Sequence, residues 1–68
     1  MTRINYYAKN TELLDQTLGK IANKFPCFVE REYIEMDYSK ITITCRQEDG
    51  AAIKGLLDVL TVLDDLYN

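Results

Sequence analysis

From Ile53 onward the chain carries more apolar surface at helical spacing than one core contact uses. At about 100° per residue, Ile53, Leu56, Leu57, Val59, Leu60, Val62, Leu63, Leu66 and Tyr67 span roughly 220° of a helix, whereas about 100° is enough to face a core. The polar strip is narrow: Lys54, Asp58, Thr61, Asp65 and Asn68, with Asp64 at one apolar edge. The arc of Ile53, Leu57 and Leu60, with Leu56 and Tyr67, is expected to pack on a sheet. The arc of Val59, Val62 and Leu66, beside Gly55, has no evident partner in so short a chain. A fold for this sequence has to bury the first arc and leave the second outside.

The chain has 68 residues, which allows one domain, residues 1–68. A domain of this size buries only about 60% of the surface its unfolded chain exposes. It has room for one small core and none for a deep substrate cleft.

Upstream, Ile4, Tyr6 and Ala8 alternate with Arg3, Asn5 and Tyr7, predicting a strand over 2–8. Asn10 or Thr11 offers an N-cap oxygen, with Glu12 at the positive end of the helix dipole. Leu14, Leu18, Ile21, Ala22 and Phe25 then form a helical stripe of ordinary width. Pro26 stops that helix, because a residue before proline avoids helical angles.

Residues 27–36 read as a strand of imperfect alternation, with a bulge or change of face near Arg31. Asp37-Tyr38-Ser39-Lys40 has turn chemistry. The clearest strand runs from Lys40 to Arg46, with Ile41, Ile43 and Cys45 on one side and Thr42, Thr44 and Arg46 on the other. A four-residue turn would set Met36 opposite Ile41 and Ile34 opposite Ile43, all facing the core. Glu48-Asp49-Gly50 opens the last helix. The order strand, helix, strand, strand, helix predicts an α+β, two-layer β-α-β-β-α sandwich: a three-stranded mixed sheet with both helices on one face.

Charge narrows the function. Residues 1–26 carry four basic and two acidic groups, a balance of +2, whereas residues 27–68 carry four and nine, a balance of −5. The acidic part repels phosphate backbones, so no nucleic-acid partner is expected. The chain has no histidine, and Cys27 and Cys45 make no CxxC pair, so neither a metal site nor a Ser-His-Asp triad is expected. No P-loop or dinucleotide glycine pattern is present, and no cofactor or catalytic residue is assigned. Glu30 and Glu32 share one face of a strand and read as solvated. No apolar run has membrane-spanning length and the start lacks a signal-peptide pattern. The expectation is a cytoplasmic protein without a membrane partner, its thiols reduced and Cys45 in the core.

Tyr33, between Glu32 and Glu35, is placed on the open sheet face as a protein-contact anchor, since tyrosine is enriched in binding hot spots. Asp64 and Asp65 lie in the last turn of the final helix, where the dipole disfavours them.

The element order, Phe25-Pro26 ending the first helix and Asp64-Asp65 near the end of the second resemble the DinI family. These are small DNA-damage-inducible proteins of bacteria, plasmids and phages that bind the recombinase RecA. Arg3-Ile4 and Ala8-Lys9 are compatible with it, and Leu66 stands where the family carries an aromatic residue. The resemblance implies a RecA modulator whose matching acids would be Asp58, Asp64 and Asp65.

The functional expectation is a small non-catalytic protein-interaction module, a phage- or plasmid-type modulator of a host protein. It would pair with another protein or a second copy through Gly55, Val59, Val62 and Leu66 on the last helix. Asp58, Asp65 and Tyr33 are the further candidate contacts. The alternative is a small-metabolite-sensing regulatory domain acting as a dimer.

Overall fold

The computed structural model describes residues 1–67, with side chains to residue 66. It has the expected α+β order: β1 (Thr2–Lys9), α1 (Glu12–Lys24), β2 (Cys27–Tyr33), β3 (Tyr38–Cys45) and α2 (Gly50–Tyr67), with a 3-10 turn at Gln47–Asp49 before α2. Tyr67's side chain and Asn68, assigned above to the apolar arc and the polar strip, lie outside the described residues.

The sheet order is β1-β3-β2, and both pairings are antiparallel. The sheet is therefore antiparallel throughout and not mixed. β1 and β2 do run the same way, but β3 lies between them and supplies hydrogen bonds to both. Side chains alternate across each strand, so Ile4, Ile43 and Val29 form one cross-sheet row, and Tyr6, Ile41 and Arg31 the next. α1 packs against β2 and α2 against β1, with the two helices touching each other.

Local chemistry sets the boundaries of α1. Thr11 is the N-cap, its hydroxyl accepting from the Leu14 N–H at 3.1 Å. Phe25 closes the helix, its N–H donating to the Ile21 carbonyl at 3.0 Å, and Pro26 follows. Leu14, Leu18 and Ile21 are buried. Ala22, counted above in the stripe, is exposed, because it sits at the edge of the buried seam.

The hairpin differs most from expectation. β2 ends at Tyr33, β3 begins at Tyr38, and Val29 lies opposite Ile43 and Arg31 opposite Ile41. The pairing is displaced by an odd number of residues from the expected one, and an odd shift exchanges the two faces of a strand. Cys27, Val29 and Arg31 therefore face the helices. Ile34 and Met36 sit in the connection, 50% and 94% exposed, and do not line the core. The ladder is continuous through Arg31, without a bulge.

The core is Ala8, Leu14, Leu18, Ile21, Ile41, Ile43, Cys45, Ile53, Leu57 and Leu60. Three of its members come from α2 at i, i+4 and i+7, one side of a helix.

Candidate interaction surface

The 3-10 turn leading into α2 is closed by Arg46, whose Nε donates to Asp49 at 2.9 Å and lies 3.3 Å from Glu48. Along the inner seam of α2, Ile53, Leu57 and Leu60 are each at most 1% exposed. A helix so anchored has no freedom to turn its other side inward.

On that other side Val59 is 56% exposed, Val62 59% and Leu66 74%. They recur at i, i+3 and i+7, a stripe about 10 Å long at 1.5 Å per residue. Gly55 lies one turn before Val59 and is exposed. A methyl group built on Gly55 would meet nothing within 4 Å, so packing within the chain does not require glycine there. Leu56 and Leu63 flank the stripe half-buried. The structure thus brings Gly55, Val59, Val62 and Leu66 onto one continuous outer face.

Asp64, at i+7 from Leu57, continues the inner seam toward β1 and is half-buried, whereas Asp58 and Asp65 are exposed beside the outer face. Thr61 shares this flank; its hydroxyl donates to the Leu57 carbonyl at 3.2 Å and meets the Tyr6 hydroxyl on β1. Between β1 and the end of α2 lies an open cleft of about 190 Å³, lined by Tyr6, Lys9, Thr61, Asp64 and Asp65 among others.

Tyr33 does not join this surface. Its register partner is Ser39, which places it at the end of the helix-covered face and not on the open sheet face. It lies on β2, at the edge of the sheet away from β1, and is 67% exposed. The Arg31 guanidinium stacks over its ring at 4.8 Å, a cation–π contact.

The open sheet face carries Arg3, Asn5, Tyr7 and Lys9 from β1, Tyr38, Lys40, Thr42 and Thr44 from β3, and Phe28, Glu30 and Glu32 from β2. Tyr7 and Phe28, 65% and 64% exposed, were not among the residues the sequence singled out. The odd shift in the hairpin is what turns Phe28 outward. Glu30 and Glu32 share this face as expected, beside Thr42 and Lys40, in an open hollow of about 380 Å³. Such a hollow does not enclose a small molecule as a binding pocket does.

A cluster the sequence did not reveal ties the layers together. Arg31 donates to Asp15 at 2.6 Å, to Asn10 Oδ1 at 2.8 Å and to Ser39 Oγ at 3.4 Å, while the Ser39 hydroxyl donates to the same Asn10 oxygen. Every buried side-chain polar atom among the described residues has a partner, so the cluster reads as architecture. Among the described residues no three Cys, Asp or Glu converge as metal ligands, and no helix is long and apolar enough to cross a membrane. Comparison with family models, with curated proteins and with solved structures finds no match to this chain.

Proposed function

We propose that this chain is a small non-catalytic protein-interaction module whose contact surface is the outer face of α2. The carrying observation is the exposure of Val59, Val62 and Leu66 in one stripe on a helix whose opposite seam fills the core. An aliphatic stripe on a core-anchored helix suits docking against another apolar surface.

Magnitudes say what such a contact needs. Full burial of an aliphatic side chain contributes about 1.5–3 kcal/mol. Scaled by the observed exposures, the three supply about 3–6 kcal/mol, against an association cost of ~4–15 kcal/mol. The stripe needs its flanks, Leu56, Leu63, Lys54, Asp58 and Asp65, to complete an interface.

A second copy fits these requirements. In an antiparallel pair centred between Val59 and Val62, Leu66 of one chain overlies Gly55 of the partner. The largest side chain of the stripe then meets the position without one. The same pairing brings Lys54 within reach of Asp65 of the partner. A modulator of a larger host protein would use the same stripe. The DinI resemblance makes a RecA-type recombinase the specific partner to try. Contact there would be apolar docking and not imitation of DNA, so its affinity should depend only weakly on salt, unlike phosphate-type contacts.

Light scattering over a concentration series tests the reading. The parent's mass should rise from monomer toward dimer, while Val62→Asp should stay monomeric and melt as the parent does at concentrations where the parent is monomeric. A parent that stays monomeric at millimolar concentration defeats the self-pairing. A Val62→Asp chain that associates like the parent removes this face of α2 as the contact. A thermal-shift screen against metabolites should be flat, and a strong hit would favour a metabolite-sensing role instead.

A further inference from the structure

Cys27 and Cys45 are direct register partners on β2 and β3. Both are free thiols. They lie on the same, helix-covered side of the sheet: Cys45 is fully buried in the core and Cys27 packs against that core from the edge strand. Directly opposed residues of an antiparallel ladder have Cα atoms about 4.5 or 5.5 Å apart, and both values fall in the roughly 4.4–6.8 Å range of disulfides. Their Cβ atoms, about 4.5–5.5 Å apart in such a pair, need to close to about 3.5–4.5 Å. β2 can make that small approach, because it is paired on one side only and Cys27 is its first residue.

We propose that Cys27 and Cys45 form a cross-strand dithiol that a small-molecule disulfide of the glutathione type converts to an intramolecular disulfide, stapling edge strand β2 to β3. This goes beyond the contact role of α2 and does not depend on it. Cys27, half-buried, reacts first. Its thiol gives its proton to solvent, and the thiolate attacks one sulfur of oxidised glutathione. A bond forms between Cys27 Sγ and that sulfur, the glutathione S–S bond breaks, and one glutathione leaves as thiolate and takes up a proton. Cys45, adjacent and shielded from solvent, then loses its proton and attacks Cys27 Sγ. The Sγ–Sγ bond forms, the Cys27–glutathione bond breaks, and the second glutathione leaves and is protonated. Two protein thiols are oxidised and one oxidised glutathione is reduced to two thiols.

The surroundings set the speed of the first step. Burial, then the neighbouring Cys45 thiol, then Asp49, raise the Cys27 pKa above its ordinary 9.0. Since the thiolate is the nucleophile, the exchange is slow at neutral pH and accelerates as pH rises. The staple would hold the edge strand at the end of the sheet from which Arg46 leads into α2.

The test equilibrates the whole chain with mixtures of reduced and oxidised glutathione and reads intact mass after acid quench. The parent should lose two hydrogens, carry no glutathione, and melt roughly 10 °C or more higher once oxidised. Cys45→Ala should stop with one glutathione on Cys27, and Cys27→Ala should take none while folded. A parent that accumulates a glutathione adduct without closing, links to a second chain, or stays a dithiol under mixtures that oxidise its urea-unfolded form overturns the proposal. The parent's result decides even where a variant fails to fold.

Discussion

The guanidinium of Arg31, on the helix-covered face of β2, meets the carboxylate of Asp15 on α1 at 2.6 Å. The two side chains are not equally placed: Arg31's is 22% exposed and Asp15's 61%. When Asp15 is lost, Arg31 keeps Asn10 and Ser39 as acceptors and its Asp15-facing N–H lies at the solvent-open end of the pair, so Asp15→Ala should cost less than about 1 kcal/mol. Arg31→Ala also takes a donor from Asn10 and from fully buried Ser39, and should cost about 1–3 kcal/mol. Urea denaturation of the two variants measures both. Equal losses would mean that the cluster around Asn10 and Ser39 contributes nothing beyond the exposed ion pair.

Glycine inside a helix costs about 0.5–1 kcal/mol relative to alanine, and neither Gly19 nor Gly55 has a neighbour that a methyl group would meet. Both Gly19→Ala and Gly55→Ala should therefore raise stability by about that amount. Only Gly55→Ala should weaken association, because Gly55 lies on the outer stripe of α2. Thermal melting and light scattering on the same samples separate the effects. If Gly55→Ala associates as well as Gly19→Ala, close approach at Gly55 is not what holds the complex.

Cys27 gives the fold an alkaline limit. Its raised pKa means that the folded chain keeps the thiol proton to higher pH than the unfolded chain does. The stability this contributes is fully present below the unfolded thiol's pKa, near 9.0, and is lost as pH rises through the folded value. Under reducing conditions, urea midpoints should fall above about pH 9 more steeply for the parent than for Cys27→Ser. Parallel profiles would show that the environment of Cys27 does not oppose its ionisation.

Much of the fold was legible where one residue type dominates a choice. Pro26 and an N-cap oxygen from Asn10 or Thr11 bound α1, because proline's restriction of the residue before it and a side-chain cap both act within one turn; the structure selects Thr11. Ile41, Ile43 and Cys45 read as one inward row because alternation over seven residues has one consistent solution. The β2 register was not legible. Phe28, Ile34 and Met36 have the same parity and are all apolar, so the sequence favours their face. The actual face holds Arg31, which reads as polar until Asp15, Asn10 and Ser39, from three other segments, are brought around it. The same displacement sends Tyr33 to the helix-covered side and Phe28 to the open one. The site fared differently: helical spacing alone groups Gly55, Val59, Val62 and Leu66, since they lie on one rigid element. Whether Tyr33 stands near them depends on strand order, which is non-local.

By itself, the sequence determined the element order, the ends of α1 and the existence of two apolar arcs on one helix, because each rests on interactions among residues a few positions apart. The tertiary structure decided the rest. It placed β3 between β1 and β2, making the sheet antiparallel, and it chose the Cys27–Val29–Arg31 face for the core. It also pressed Ile53, Leu57 and Leu60 onto the sheet, which commits Val59, Val62 and Leu66 to the outside. The reason is geometric: an inward arc is defined only by what it packs against, and that surface is assembled from segments far apart in the chain.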